Sequence, residues 1–349
     1  MSKTTSSSGW EAAFGTPHDA LEWMIDGRLV AELVYVAVTL KLPDLLRDGP
    51  RTATDLVDAT GANADALPRM LRALVWCGIL AERDDGRFEL AAIGDLLRGD
   101  SATPRFRLSA LVAGYERRAF TELHHMALTG EAAFDIAYGM GYFDYLRANP
   151  EFSDVFSRLM QSLAADFDWT RAVVEAYDFS QAQTIVDIGG GRGHLLAGLL
   201  QAHPTARGVL FDLPDVVEQA QGYLTEAGVA ARCAVIAGDF FTSMPPDGDH
   251  YVIKHVLNDW DDERCVQILR NCVAVLPPGG RVLVINSFLP ERATAGSPMF
   301  RNDVHRMIQG SGRERTHRHF ETLFDRAGLR LAGVYPANGG MHVLEGVPA

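Results

Sequence analysis

The strongest local signal in the sequence is Thr184-Ile185-Val186-Asp187-Ile188-Gly189-Gly190-Gly191-Arg192-Gly193-His194. Its first five residues have the composition of a buried strand, and a glycine-rich turn leads from them into a helical pattern. Glycines at 189, 191 and 193 carry no Cβ, so a ligand can lie directly against the backbone at the carboxyl end of the strand. A dinucleotide fingerprint, G-x-G-x-x-G, needs a third glycine where His194 stands, which disfavours NAD and FAD.

Strand and helix patterns alternate from this stretch to the end of the sequence. Strands are predicted at Thr184–Ile188, Arg207–Phe211, Cys233–Ala237, His250–His255, Arg281–Asn286, Leu329–Tyr335 and Met341–Glu345. Helices are predicted at Arg192–Gln201, Val216–Glu226, Asp262–Leu276 and Thr316–Ala327. This alternation predicts an α/β fold with a Rossmann-like, doubly wound sheet and an antiparallel hairpin at its edge.

Charged and aromatic side chains follow the next strands of this predicted sheet. Asp212 ends the second strand, where a carboxylate can accept hydrogen bonds from both hydroxyls of a ribose. Asp239 and Phe240 end the third strand and suit an adenine, while Lys254 on the fourth strand suits a carboxylate. Taken singly, Asp239 could cap a helix, Phe240 could belong to the core and Lys254 could be solvated. Beside a glycine loop that does not suit a pyrophosphate, they favour S-adenosylmethionine as the cofactor.

The N-terminal half has a helical pattern with one short strand pair. Helices at Thr52–Ala59 and Asp65–Cys77, followed by strands at Leu80–Arg83 and Arg87–Leu90, predict a winged-helix outline. DNA binding is disfavoured, because the net charge is −13 and the second helix offers only two arginines. The apolar face between Leu29 and Leu40 is broad for a single-sided surface helix, so we expect this half to form a homodimer.

These patterns divide the chain into four predicted segments. They are a disordered lead-in at 1–16, a winged-helix-like dimerisation domain at 17–111, a helical linker at 112–180 and a cofactor-binding domain at 181–349. The linker is rich in aromatic residues, most of them expected in the core. Phe143, Phe156 and Met160 are the candidates for walling a pocket for an aromatic substrate.

Composition sets further bounds on function. The acidic chain lacks the clustered Lys and Arg that nucleic acid or an anionic membrane would need, and it has neither a secretory signal nor a membrane-length apolar stretch. The four cysteines show no metal-binding spacing, so no metal is expected. Cys265 and Cys272 lie seven residues apart in a helical pattern and are expected on one buried face. We therefore expect a soluble cytoplasmic protein with reduced thiols.

In combination, the motifs resemble those of the S-adenosylmethionine-dependent O-methyltransferases of the plant caffeate type and their bacterial natural-product relatives. The resemblance covers almost the whole chain and rests on VDIGGGRG at 186–193, FDLP at 211–214, GDFF at 238–241, KHVLNDWDD at 254–262, LPPGGRVLVIN at 276–286 and GRERT at 312–316. It implies a homodimer and phenolic, enolic or polyketide-like acceptors. It also implies the cofactor residues Asp187, Gly189, Gly191 and Leu213, besides Asp212, Asp239, Phe240 and Lys254.

The catalytic positions implied by the resemblance depart from the family pattern. The family's base is the histidine of an H-D-W motif, which here reads Asn258-Asp259-Trp260, and an acid that orients that histidine corresponds to Asn286. The second acid is retained as Glu314. An amide cannot take a proton at neutral pH, so Asn258 can orient an acceptor but cannot deprotonate it.

Several nearby residues are candidates for the remaining roles. His305 lies on a helix that the family places over the acceptor, and is the candidate for a relocated base. His255 is expected within the fourth strand, as a structural histidine. Asp303 is either a pocket acid or a partner of Arg306, and with Asn302 and Trp260 it completes the predicted substrate contacts. A metal site at Asp259 and His305 has no supporting spacing.

Two functions follow from these observations. The first is methyl transfer to an oxygen of a small aromatic or polyketide-type metabolite, with catalysis by positioning of an acceptor that ionises easily. The second is a tailoring enzyme that binds the same cofactor but performs hydroxylation, decarboxylation or cyclisation, since a fold does not fix a function.

Overall fold

The computed structural model describes residues 14–166, 169–218, 220–293 and 296–349. The chain forms two compact units, Met1–Asp166 and Phe167–Ala349. Most of the predicted lead-in, residues 1–13, lies outside the described residues. The four-segment division remains a prediction; the structure places residues 169–176 in the second unit. In the described ranges no helix combines the length and the apolar character needed to cross a bilayer.

The first unit is mainly helical. Its helices are α1 Pro17–Thr39, α2 Leu42–Leu45, α3 Ala53–Thr60, α4 Ala66–Trp76, α5 Ala92–Asp95, α6 Arg105–Glu116, α7 Leu123–Thr129, α8 Ala133–Tyr138, α9 Tyr142–Ala148 and α10 Pro150–Asp166, with a 3-10 turn at Ala119–Glu122. Strands β1 Leu80–Glu82 and β2 Phe88–Leu90 pair antiparallel. Thr52 and Asp55 form a reciprocal capping box that starts α3. The predicted winged-helix outline is therefore confirmed.

The long helix α1 has one buried and one exposed apolar face. Leu33 and Ala37 pack into the core of the first unit with residues of α3, α4 and β2. Leu21, Met24 and Ile25 lie on the exposed side, and Ile25 is 70% exposed. With Leu29, these exposed apolar side chains form a stripe along α1, which a monomer rarely leaves in contact with water.

The second unit is a seven-stranded sheet with helices on both faces. Its strands are β3 Thr184–Ile188, β4 Arg207–Asp212, β5 Cys233–Ala237, β6 His250–Lys254, β7 Arg281–Ser287, β8 Leu329–Ala337 and β9 Met341–Pro348, in the order β5-β4-β3-β6-β7-β9-β8. Its helices are α11 Trp169–Ala176, α12 His194–Ala202, α13 Pro214–Val217, α14 Ala220–Glu226, α15 Asp262–Val275, α16 Pro298–Gln309 and α17 His317–Ala327, with 3-10 turns at Ala230–Arg232, Leu257–Asp259 and Asn338–Gly340.

The pairing of these strands confirms the predicted doubly wound fold. Strands β3 to β7 pair in parallel, and β9 runs antiparallel to both β7 and β8. Val186 packs on one face with α15 and α17, whereas its neighbour Ile185 packs on the other with α11, α12 and α14. Cys265 and Cys272 are fully buried on the first of these faces, as predicted. Parallel strands covered on both faces place their carboxyl ends, and hence the loops after β3 to β7, at one edge.

A buried polar cluster joins the end of the chain to the start of the second unit. The Glu345 carboxylate accepts hydrogen bonds from the hydroxyls of Tyr177 (3.0 Å) and Tyr335 (2.9 Å), and it forms an ion pair with Arg281. Burial and the Glu345 carboxylate raise the pKa of Tyr177, so its hydroxyl remains a donor at neutral pH. The antiparallel hairpin is thus fastened to the residues that follow α11 and to β7.

Candidate active site

The glycine loop between β3 and α12 is packed on one side and open on the other. Gly189, Gly191 and Gly193 all have left-handed backbones, with φ of 64°, 60° and 84°. A Cβ at Gly190 would lie 2.5 Å from the Leu210 side chain, whereas one at Gly191 would meet nothing within 4 Å. The loop therefore leaves open space beside its backbone at Gly191, as a backbone-bound ligand requires.

Asp212, at the end of β4 as predicted, is fixed against this loop. One carboxylate oxygen accepts the Gly191 N–H and the other accepts the Leu213 N–H, both at 2.8 Å. Burial raises the pKa of Asp212, and these two N–H donors oppose the rise. Asp212 and Leu213 thus lie at the open side of the loop, with the carboxylate held in one orientation by the backbone.

Asp187 is a buried acid with an unfilled acceptor. It is 1% exposed, and its Oδ2 atom has no hydrogen-bond partner. Burial raises the pKa of Asp187 to about 7, while the nearby Lys254 ammonium acts in the opposite direction. A buried oxygen without a donor is costly, so this position fits a ligand that brings N–H or O–H groups. S-Adenosylmethionine carries such groups on its ribose and its amino acid.

The end of β6 brings two consecutive side chains against the same indole ring. The Lys254 ammonium lies 4.9 Å from the centroid of Trp169, and the His255 ring lies 5.3 Å from it. Consecutive strand residues would point to opposite faces, but His255 has a left-handed φ of 53°. The prediction that His255 belongs to the strand is therefore wrong: β6 ends at Lys254, and His255 begins the turn.

His255 stays neutral in this position. Burial and the cations Lys254 and Arg306 lower its pKa to about 3, and a hydrogen bond with the Asn286 side chain acts in the opposite direction. The Nε2 atom is buried without a partner. Asn286 itself is 2% exposed, and its side-chain oxygen accepts the Ser287 N–H at 2.9 Å. Burial also lowers the pKa of Lys254, although Asp187 opposes this effect.

The residues after β5 divide between a cap and the glycine loop. Asp239 lies two residues beyond β5, and its Oδ1 accepts the Phe241 N–H at 2.8 Å, so it stabilises a turn and does not cap a helix. A Cβ built on Gly189 would lie 3.7 Å from the Phe240 ring, so this ring borders the loop. Phe240 also lies 6.2 Å from Trp260, centroid to centroid, which links the glycine loop to the turn containing Asn258.

Asn258 lies in the 3-10 turn after β6 and is 1% exposed. Only one orientation of its amide satisfies its neighbours. In that orientation Nδ2 donates to the His255 carbonyl at 3.0 Å, and Oδ1 accepts from the Nη2 and Nε atoms of Arg306 at 2.9 and 3.2 Å. The amide is thus held between its own turn and helix α16.

Arg306 is the common partner of the residues around Asn258. Its Nη1 donates to Asp259 at 2.8 Å, and its Nε lies 3.6 Å from a carboxylate oxygen of Glu314. The Glu314 N–H in turn donates to Asp303 at 2.8 Å, so Asp303 fixes the backbone of Glu314. Burial raises the pKa of both Asp259 and Glu314, with Arg306 opposing in each case. No pattern in the sequence predicts the contact between Arg306 and Asn258.

The remaining predicted site residues occupy several elements. His305 is half-buried on α16, and consecutive helix residues do not face the same way, so its side chain diverges from that of Arg306. Asn302 is on the same helix, and the Trp260 ring packs edge-on against Phe241. The predicted aromatic-pocket residues lie in the first unit, where Phe143 and Met160 are each 41% exposed and Phe156 packs against Tyr142.

Two family models match the chain. A model described as an O-methyltransferase domain covers residues 120–330, and one described as an O-methyltransferase dimerisation domain covers residues 24–100.

Individual relatives agree with these matches. A phenazine O-methyltransferase from Lysobacter antibioticus, PhzM, is 40% identical over 93% of this chain and 94% of its own length. The crystal structure of NcsB1, an O-methyltransferase from neocarzinostatin biosynthesis in complex with S-adenosylmethionine and 2-hydroxy-5-methyl naphthoic acid, has a TM-score of 0.83 and 32% identity, covering 92% of this chain and 96% of its own. Aclacinomycin 10-hydroxylase RdmB from Streptomyces purpurascens is 35% identical over 88% of this chain and 83% of its own length.

Proposed function

The chain belongs to the O-methyltransferase family and depends on S-adenosylmethionine, and from this premise we propose that it methylates an oxygen of a small aromatic or polyketide-type metabolite in bacterial natural-product biosynthesis. The observation that carries the proposal is the glycine loop with Asp212 locked against Gly191 and the unfilled Asp187 oxygen nearby. The composition supports a cytoplasmic location.

Residues in and around the glycine loop of the second unit would hold the cofactor. Asp212 and Leu213 line the open side of the loop at Gly191, Phe240 borders Gly189, and the Lys254 ammonium lies near Asp187. The Oδ1 atom of Asp239 accepts the Phe241 N–H, and its other carboxylate oxygen would contact the cofactor. The loop glycines are required because Gly189 has a left-handed φ and a Cβ there would lie 2.7 Å from Val256.

When bound, S-adenosylmethionine supplies a methyl group already activated by its sulfonium. The protein's task is then to hold the acceptor oxygen in line and to exclude water, and orientation of this kind can contribute up to ~7–11 kcal/mol. Asn258 would donate a hydrogen bond to the acceptor, and Glu314 would support it through Arg306. Because an amide takes no proton, the acceptor would be a phenol, enol or carboxylate that ionises near neutral pH.

We propose acceptor contacts at Trp260, Asn302, Asp303 and His305 in the second unit. Phe143, Phe156 and Met160, in the first unit, stay proposed as residues that wall an aromatic pocket. The chain carries a dimerisation domain, and we propose that it forms a homodimer through the exposed stripe of α1.

A second function is favoured by one specific observation. The relative named as a 10-hydroxylase has the same fold family, and position 258 of this chain holds no proton acceptor. The chain could therefore bind the cofactor and carry out a different tailoring reaction.

Product analysis separates the two functions. The purified protein is incubated with S-adenosylmethionine and a panel of hydroxyphenazines and hydroxynaphthoic acids, and products are read by mass spectrometry. Gain of one methyl group with stoichiometric S-adenosylhomocysteine supports methyl transfer. A product altered without a methyl group, or no product while calorimetry still shows cofactor binding, would move the assignment to the second function.

A further inference from the structure

Arg306, on α16, contacts three residues through one planar guanidinium. It donates to Asn258 and Asp259 in the turn after β6, and it forms an ion pair with Glu314 in the loop before α17. The Arg306 side chain is 32% exposed, whereas that of Glu314 is 5% exposed. A guanidinium has only donors, so every atom that faces it must be an acceptor.

This requirement fixes the polarity of Asn258. With Oδ1 turned to Arg306 at 2.9 and 3.2 Å, the NH₂ group must point away, where one hydrogen reaches the His255 carbonyl at 3.0 Å. Rotating the amide would place two sets of N–H donors against each other and a carbonyl against a carbonyl. The group left for any ligand at this position is therefore the second N–H of Asn258, which is a donor.

The same guanidinium opposes a proton acceptor at position 258. The titratable groups facing this position are Arg306 on α16, Asp259 in the same turn and Glu314 in the loop before α17. Asp303 lies behind Glu314, and His255 is at the start of the turn. A side chain that took up a proton here would place a new positive charge about 3 Å from Arg306, which is unfavourable. A neutral amide avoids this repulsion.

We propose that Arg306 is a positioning residue that fixes Asn258 as a hydrogen-bond donor and excludes a proton acceptor from position 258, so that the site selects acceptors whose oxygen arrives as an anion. This proposal rests on the proposed function, in which Asn258 contacts the acceptor. The proton of the acceptor is lost to solvent before binding, and the bound oxyanion attacks the methyl carbon as the carbon–sulfur bond breaks.

The first test requires no substrate. Asn258→His is compared with Asn258→His/Arg306→Gln by following the introduced imidazole resonance against pH in NMR spectra. The pKa of the introduced imidazole should be lower by at least about one pH unit with Arg306 than without it, because the guanidinium repels the protonated ring. Asn258→His/Arg306→Lys should keep the low value because it keeps the charge. Asn258→His/Arg301→Gln is the matched control, because it removes the same charge from an exposed position of α16. It should leave the pKa of the introduced imidazole as it is in Asn258→His. Equal imidazole pKa values with and without Arg306 would overturn the proposal.

The second test measures methylation of 2-hydroxy-5-methyl naphthoic acid across pH in the wild type and in Arg306→Gln. In the wild type, kcat/KM should rise with ionisation of the acceptor. In Arg306→Gln the rising limb should stay at the same pH, because kcat/KM reports ionisation of the free acceptor. KM should increase at least about tenfold, since the donor is no longer fixed. An unchanged KM would refute the role of Arg306. Absence of any methylation would count against the proposed function alone, because the imidazole titration still decides the effect of Arg306.

Discussion

Replacing Asp212 by asparagine tests the geometry of the cofactor site most directly. Both oxygens of this carboxylate accept backbone N–H groups at 2.8 Å, from Gly191 and from Leu213. An amide of the same shape must present its NH₂ group to one of these N–H donors, so one contact becomes repulsive and the charge is lost. Hydrogen bonds to a charged group contribute about 1.5–3 kcal/mol. We therefore expect Asp212→Asn to weaken S-adenosylmethionine binding by roughly 10- to 150-fold.

Isothermal titration calorimetry with S-adenosylmethionine and S-adenosylhomocysteine measures this loss. Asp215→Asn removes the same charge from an exposed position three residues later and should leave both affinities within about twofold of the wild type. Thermal melting without ligand checks that both variants are folded. Equal affinities for Asp212→Asn and Asp215→Asn would refute the placement of the cofactor at the open side of the loop.

Three further predictions concern association, catalysis and stability. Light scattering should give the mass of a dimer, and Ile25→Glu, on the exposed stripe of α1, should give a monomer of unchanged thermal stability; a monomeric wild type would contradict the assignment. Asn258→Ala should lower kcat/KM by roughly 10- to 150-fold, since a hydrogen bond to the anionic acceptor oxygen, about 1.5–3 kcal/mol, is lost. A fall of three or more orders of magnitude in His305→Ala would identify a relocated base. Without ligand, the free energy of unfolding should decrease by up to about 4 kcal/mol as the pH rises from about 4 to about 7, because burial raises the folded-state pKa of Asp187 to about 7 and the unfolded chain loses its proton first. Asp187→Asn should reduce this dependence in chemical denaturation, and a variant whose stability depends on pH as strongly as the wild type's would exclude the role of Asp187.

The sheet could be predicted from the sequence because its strands are short apolar runs separated by strong turn signals. The predicted span Thr184–Ile188 is the observed β3, and Asp212 ends β4 as expected. These elements are governed by local patterns that repeat along the chain. The prediction of one helix at Val216–Glu226 was wrong, because the structure has two helices there, α13 and α14.

The polar contacts of the site could not be predicted in the same way. Arg306 lies 48 residues after Asn258, and no spacing along one helix or strand relates them. His255 was expected at the end of the strand that begins at His250, yet its left-handed backbone turns it onto Trp169. Both features depend on contacts between separate elements. The periodicity within one element does not predict such contacts.

The position of β9 in the sheet has a consequence for synthesis of the protein. Strand β8 precedes β9 in the chain but is not paired with β7, because β9 lies between them in the sheet. About fifty residues separate β7 from β9. At a translation rate of ~5–20 residues per second, the edge of β7 stays unpaired for roughly 3–10 s until β9 has been synthesised. During this interval an apolar strand exposes unpaired N–H and C=O groups, to which a nascent chain on a neighbouring ribosome can add. Strand β9 therefore closes the β7 edge only about fifty residues after β7 has been made.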